Sequence, residues 1–160
     1  MQMLGVVSGA PLIQDLGNFY DEMGINYRYL HREQRDAEGK RHYTPHDVIV
    51  KDRNSLLYSI ALQDTIHDVP SWHHQVVGSV ENTPLRVTGV TPTDGVDIIE
   101  AIERTDKTFA LGVQFHPEEA VRQHVKGSDD ASRFMPLDEA VDYFRMLIKA
   151  AQGRATHEKN

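Results

Sequence analysis

The sequence predicts an α/β fold in which helices cover a β-sheet. Four short segments are rich in β-branched residues or alternate between apolar and polar side chains: residues 46–51, 85–91, 96–103 and 108–115. Their spacing along the chain predicts that they are neighbours in one sheet. The dipeptide Asp94-Gly95, between the second and third segments, predicts a tight hairpin turn.

Three further segments have helical signatures. Residues 1–8 are mostly apolar and stop before Pro11, which predicts a short helix. Residues 54–63 form a second helical stretch. In the last segment, apolar residues recur at helical spacing between Pro136 and Gly153, which predicts an amphipathic helix docked on the sheet.

The remaining sequence is polar and irregular. Residues 17–41 predict an excursion over the surface, and residues 154–160 predict a frayed polar tail after a domain that spans residues 1–153. The first helix has almost no polar side chains. We therefore expect something outside this chain to cover it.

Composition excludes several classes of protein. The 160 residues carry a net charge of -7 and an isoelectric point near 5.7, which argues against a nucleic-acid partner. No window has the roughly 18 apolar residues of a membrane span, and the first residues lack a basic signal-peptide region. We therefore expect a cytoplasmic protein with no membrane partner. The chain has no cysteine, so it supplies neither a disulfide nor a thiol nucleophile.

One pair of residues suggests acid-base chemistry. An apolar segment ends in His116-Pro117-Glu118, and in an extended chain side chains two apart share a face. A carboxylate beside an imidazole fixes its tautomer and stabilises its protonated form, as a general base requires. The pair therefore fits a base and its orienting group. The alternative is a histidine at the sheet edge beside a solvated glutamate.

A second motif contains two adjacent imidazoles, His73 and His74, after Trp72. Together with His116 they suggest metal ligands. However, neighbouring residues on a strand point to opposite faces, and the other histidines do not have metal-ligand spacing. The sequence therefore predicts no metal and no other cofactor, with Trp72 in the core or in a pocket wall.

Several motifs occur in an order that is specific to one family. They are His-Asp-Val at 46–48, Ser-Trp-His-His-Gln at 71–75, Asp-Gly at 94–95, Ile-Glu-Ala-Ile-Glu at 99–103 and Gly-Val-Gln-Phe-His-Pro-Glu at 112–118. Over about residues 1–119 the chain resembles the gamma-glutamyl-gamma-aminobutyrate hydrolase-like (peptidase C26) branch of the class I glutamine amidotransferases. The resemblance implies the C-terminal part of a flavodoxin-like α/β fold. Such a part has a mixed sheet with flanking helices and is incomplete without its N-terminal half.

The resemblance also implies roles for individual residues. In the family, a Cys in a Gly-x-Cys-Arg-Gly-x-Gln motif attacks a gamma-glutamyl amide of a small-molecule substrate. By resemblance, His116 would activate that Cys and Glu118 would orient the imidazole. Gln2 matches the last position of the nucleophile motif. His73 and His74 match pocket-lining positions, so these three residues are candidates for substrate binding.

The chain departs from the family pattern in two places. It begins with only the last two positions of the nucleophile motif, so the Cys would lie three residues before Met1. The family's oxyanion-hole donors would also lie upstream. Before the histidine pair the chain has Val69-Pro70-Ser71 where the family has Val-Asn-Ser. We therefore expect the chain to be inactive alone.

Three hypotheses follow for the function. In the first, the chain is a fragment or inactive half of a Cys-His-Glu hydrolase. In the second, it is a non-catalytic subunit that completes a split amidotransferase-like domain with a separate N-terminal half, or that forms a homo-oligomer. In the third, it is a His-dependent metal-binding protein. These motifs do not specify which gamma-glutamyl amide is the substrate.

Overall fold

The structure is a computed structural model that describes residues 1–25 and 30–157, with side chains up to Arg154. In chain order the strands are β1 (Leu12–Ile13), β2 (Thr44–Val50), β3 (Thr65–Ser71), β4 (Val76–Val77), β5 (Leu85–Thr93), β6 (Val96–Arg104) and β7 (Leu111–Val113). The helices are α1 (Gln2–Val7), α2 (Leu16–Glu22), α3 (Leu56–Ala61), α4 (Pro117–Lys126) and α5 (Leu137–His157), with a 3₁₀ helix at Asp129–Arg133.

Five strands form the central sheet in the order β3-β2-β5-β6-β7, and β1 pairs with β4 separately. The strand pairs in the described ranges are antiparallel. Helices pack on the sheet, which confirms the predicted α/β class. The resemblance implied a mixed sheet, whereas the pairs within the described ranges are antiparallel. No helix within these ranges is both long enough and apolar enough to cross a membrane.

The hairpin between β5 and β6 turns where the sequence predicted. Thr93 pairs with Val96, so Asp94 and Gly95 alone form the turn. Both have positive φ, 45° and 87°. A two-residue turn of this kind matches the twist of its strands and favours Asp-Gly.

The sequence analysis missed helix α2, which begins the segment 17–41 that it expected to be irregular. It also missed strand β3. Pro70 lies within it and Asp68 has a positive φ of 52°, and both features weaken a strand signal. The structure accommodates them because β3 is at the edge of the sheet, where one side of the backbone needs no ladder partner. The pairing register of β3 with β2 also shifts between His46 and Val48.

The segment expected to be a strand over 108–115 is shorter, and a helix follows it directly. Strand β7 ends at Val113, and Pro117 starts α4. Proline suits the first helical position because it has no N–H to satisfy there. Gly127 ends the helix in the left-handed conformation, with φ of 62°. Because an apolar run precedes His116, the sequence analysis assigned residues 108–115 to one strand and did not predict α4.

The main core lies between the sheet and helices α3, α4 and α5. It includes Val48, Leu57, Ile66, Phe115 and Ala140. Helix α5 buries Ala140 and Tyr143, but most of the predicted apolar stripe does not dock on the sheet: the relative accessibilities are 39% at Leu137, 39% at Phe144, 55% at Leu147 and 57% at Ile148. It continues beyond the expected end at Gly153 to His157, because no proline or left-handed residue interrupts it there.

A second core holds α1 against the sheet. Met1 and Leu4 pack with Val77 and Ile102. The approach is close, since a Cβ at Gly112 would lie 2.9 Å from the Cα of Met1. The predicted helix at 1–8 is therefore confirmed. Its other side is exposed, with relative accessibilities of 75% at Met3, 50% at Val6 and 67% at Val7.

Candidate active site

His116 stands at the junction of β7 and α4. It occupies the N-cap position of α4, and its backbone N–H donates to the carbonyl of Pro70 at 2.8 Å. This bond attaches the junction to edge strand β3. The imidazole has a relative side-chain accessibility of 34%, so it is held by the backbone and reachable from solvent.

Glu118 is the hydrogen-bond partner of this imidazole. His116 Nδ1 and Glu118 Oε1 are 2.6 Å apart. The hydrogen bond from His116 is the main cause that lowers the pKa of the Glu118 carboxyl below its usual value, and burial opposes it. With Nδ1 engaged by a carboxylate, Nε2 is the nitrogen left to exchange a proton with another group.

The expected pairing therefore forms, but for a different reason. The sequence analysis placed both residues on one face of an extended strand, which is wrong. His116 is an N-cap and Glu118 is in the first turn of α4. A carboxylate in the first turn of a helix is also favoured by the helix dipole.

The pair opens onto a pocket of about 670 Å³. Gln2 and His73, two of the three residues expected to bind substrate, also line it. Gln2 reaches from α1 to the carbonyl of Gln75, with a distance of 3.1 Å from its Nε2. The apolar lining of the pocket includes Met1, Met3, Leu111, Val113, Phe144 and Leu147.

His74 lies apart from this pocket lining. Its Nδ1 is 3.4 Å from the Asp15 carboxylate, and its side chain is 45% exposed. The two adjacent imidazoles thus have different surroundings, as expected for neighbours on an extended chain. The structure gives His74 no place beside His116, and a substrate role for it stays a prediction.

Aromatic rings pack in a row beside the His116 imidazole. The Tyr43 ring lies 5.3 Å from the His116 ring and 5.1 Å from the Trp72 ring, both edge to face. Trp72 lines the pocket, which is one of the two positions that the sequence analysis predicted for it. Burial is the main cause that raises the pKa of the Tyr43 hydroxyl, followed by the nearby Glu119 and Glu118.

Behind the pocket wall lies a buried cluster that the sequence analysis missed. His31, His46, His73 and Glu100 each bring a nitrogen or oxygen atom within 4.8 Å of the others. Of the three histidines that the sequence analysis considered as metal ligands and set aside, His73 belongs to this cluster and His74 and His116 do not. Its members are far apart in sequence, so no spacing motif reveals it.

One local signal for the cluster was present in β6. Glu100 is completely buried and alternates with Ile98 and Ile102 on the inward face of the strand. A carboxylate at an inward position requires a partner of opposite charge. Burial alone would raise its pKa, but the interactions with His73, His46 and His31 lower it well below its usual value.

Burial has the larger effect at His31. Burial lowers the pKa of its imidazole to about 4, although Glu100 opposes the shift. His31 is therefore neutral at neutral pH.

Comparison with known proteins identifies the family. The sequence matches the family model of peptidase C26 over residues 1–118. The chain belongs to the peptidase C26 family. The predicted membership of the class I glutamine amidotransferase-like proteins is thus confirmed.

One curated relative is Rv2859c of Mycobacterium tuberculosis, which has the provisional name of a glutamine amidotransferase. It is 36% identical over 87 residues, covering 54% of this chain and 25% of the relative. The chain thus spans a quarter of that relative's length. A solved structure, the glutaminase domain of Trypanosoma brucei CTPS with bound acivicin, aligns with a TM-score of 0.45 at 19% identity. It covers 66% of this chain and 48% of the other.

Proposed function

We propose that this chain supplies the base and its orienting carboxylate to a site that hydrolyses gamma-glutamyl amides. The contact between His116 and Glu118, 2.6 Å long and open to a large pocket, is the observation that supports the proposal most directly. Membership of the peptidase C26 family supports amide hydrolysis by a Cys nucleophile. The chain contains no cysteine, so the nucleophile comes from outside these 160 residues.

The position of Gln2 suggests where that nucleophile enters. Gln2 corresponds to the last residue of the family's nucleophile motif and lies on the wall of the pocket that contains His116. The N-terminal end of α1 packs against β7 through Met1 and Gly112. Met1 and His116 both line the pocket, so a segment that precedes Met1 would start at this pocket. We place the Cys there.

In the proposed reaction, the thiol gives its proton to His116, and the thiolate attacks the carbonyl carbon of the gamma-glutamyl amide. The tetrahedral intermediate expels the amine, which takes the proton from His116, and leaves a thioester. Water then attacks the thioester while His116 accepts its proton, and the Cys leaves as thiol after reprotonation. Glu118 holds Nδ1 and stabilises the imidazolium formed at each step.

The test compares the 160-residue chain with a longer protein that includes the in-frame upstream segment. Hydrolysis of gamma-glutamyl-p-nitroanilide should be absent in the chain alone and present in the longer protein. In the longer protein, His116→Asn should lower kcat/KM by about 10²–10⁴-fold, the usual value of general acid-base catalysis. Glu118→Gln should lower kcat, because the imidazolium that forms at each step loses its carboxylate partner.

A matched control is available in His67, whose side chain is 64% exposed and pairs with Asp47 rather than the pocket. His67→Gln should leave hydrolysis unchanged. If His116→Asn retains wild-type kcat/KM in a folded longer protein, the proposed base is wrong.

A second function is favoured by the exposed apolar surface. Met3, Phe144 and Leu147 line the pocket yet have relative accessibilities of 75%, 39% and 55%. Such a surface is typical of a contact with another protein segment. The chain would then be a non-catalytic subunit that a separate N-terminal half, or a second copy, completes. Sedimentation velocity tests this, because a monomer that binds no second segment contradicts it.

A cytoplasmic location remains a prediction from the sequence, as does the choice of a small gamma-glutamyl amide as substrate.

A further inference from the structure

Four buried side chains meet from separate parts of the chain. His31 precedes β2, His46 lies in β2, His73 follows β3, and Glu100 lies in β6. Their residues are only 0%, 8%, 5% and 0% exposed. Measured to Glu100 Oε1, the distances are 3.1 Å from His31 Nδ1, 3.9 Å from His46 Nε2 and 3.4 Å from His73 Nε2.

Most of these atoms lack a satisfactory hydrogen bond. Within the described ranges, neither oxygen of Glu100, neither ring nitrogen of His31, nor Nε2 of His73 has a well-oriented partner. An unsatisfied buried polar group costs about 1–3 kcal/mol, and more when it is charged. Five such atoms in one place favour a ligand that bonds to several of them at once.

The tautomers show what kind of component fits. His73 Nδ1 is 3.0 Å from the carbonyl of Gln75, to which only an N–H can donate. In neutral His73, Nε2 is then a lone pair directed at the Glu100 carboxylate, and two acceptors repel each other. A cation between them removes the repulsion and bonds to both.

His46 is held in the same way. Its Nδ1 is 3.2 Å from the Asp47 carbonyl and 3.1 Å from Thr91 Oγ1, while that hydroxyl is itself bonded to the Asp47 carbonyl at 2.8 Å. His46 Nδ1 therefore carries the proton, and Nε2 is a lone pair. A histidine that donates through one nitrogen to a backbone carbonyl and leaves the other free is typical of metal ligands.

We propose that His31, His46, His73 and Glu100 bind one zinc-like divalent cation. Three imidazole nitrogens and one carboxylate oxygen form a four-ligand set that suits zinc. Zinc bonds of about 2.0–2.1 Å place tetrahedral ligands roughly 3.3–3.4 Å apart. The three distances to Glu100 span that value, and the largest separation of 4.8 Å requires the ligands to close inward by a small amount.

Binding would replace one existing contact. Ser71 Oγ lies 2.6 Å from His46 Nε2, so the hydroxyl must release this nitrogen when the metal takes it. The site is buried and all four positions are filled by protein, which is typical of structural rather than catalytic zinc. It would join β2, β6 and the segments around His31 and His73. Because His73 also lines the pocket, the ion would fix the pocket wall.

The experiment uses the untagged chain after removal of metal by a chelator. Titration with Co²⁺ should give the intense visible bands of a tetrahedral centre and saturate at one ion per chain, with Zn²⁺ displacing it. After the metal-free chain has been loaded with Zn²⁺ and dialysed, plasma mass spectrometry should find one zinc ion per chain. Glu100→Gln keeps the shape of the ligand but not its charge, and it should weaken affinity at least about 10–100-fold, the loss typical of even an outer-shell change.

The control variant is His67→Gln, which removes an exposed imidazole and should keep wild-type affinity and stoichiometry. Zinc X-ray absorption of the wild type provides a check that requires no variant and should show three imidazoles in the first shell. A folded wild-type chain that binds no ion at one equivalent overturns the proposal. So does equal binding by Glu100→Gln, or an absorption spectrum without imidazole scattering. In those cases the cluster is a buried ion pair between Glu100 and protonated histidine.

Discussion

Substitution of Gly112 by alanine should separate α1 from the sheet. A Cβ built on Gly112 would lie 2.9 Å from the Cα of Met1 and 3.3 Å from Cδ2 of Leu4. Leu4 can turn away, but the backbone of Met1 must move with the start of α1. Overpacking of this kind costs typically 1–3 kcal/mol of unfolding free energy. We expect a loss near the upper end of that range, because the atom displaced belongs to the backbone.

The matched control is Gly153→Ala in α5, where an added Cβ would have no atom within 4 Å. Alanine is favoured over glycine in a helix by about 0.8–1.0 kcal/mol, so this variant should become more stable. Urea denaturation followed by far-ultraviolet circular dichroism gives both free energies. If Gly112→Ala stays within about 0.5 kcal/mol of wild type, the range of a neutral surface change, then α1 does not pack on β7 as described.

Three further substitutions test individual contacts by denaturation. Asp15 caps α2 and accepts the backbone N–H three residues later, which is the main cause that lowers its pKa. Asp15→Ala should therefore cost about 1 kcal/mol at neutral pH. The wild-type contribution should be lost as the pH falls through the lowered pKa, so the two proteins converge in acid. Arg86→Gln leaves Glu103, a residue only 3% exposed, without its cation. It should be more destabilising than Arg53→Gln, which removes an exposed ion pair. Similar denaturation midpoints for the two variants would contradict this. Tyr143→Phe removes a buried hydroxyl that has no partner in the described ranges, and it should raise stability by about 1 kcal/mol; a loss of stability would reveal a partner.

The sequence predicted those parts of the fold that depend on local signals. The β5–β6 hairpin follows from Asp94-Gly95, whose positive φ angles are intrinsic to these residue types. Helix α5 follows from its apolar periodicity. Strand β3 could not be recognised because Pro70 is tolerated only at a sheet edge, and edge position is a property of the whole sheet. Helix α4 was hidden because its proline start followed an apolar run.

The candidate site was predicted only in part for a similar reason. The pairing of His116 with Glu118 is local, so a spacing of two residues sufficed even though the assumed backbone was wrong. The cluster around Glu100 depends on contacts between residues as far apart as His31 and Glu100. Such contacts are set by the order of strands in the sheet, which the sequence pattern did not give. The inward position of Glu100 was the one local sign that was overlooked.

The proposed function requires a Cys that lies just before Met1 in the same polypeptide and is served by His116 and Glu118. The most direct measurement is the DNA sequence upstream of the Met1 codon, read in frame. We expect codons for Gly-x-Cys-Arg-Gly ending directly before Met1, as the proposal requires. An in-frame stop codon, or an upstream coding sequence without a Cys at that position, would contradict it.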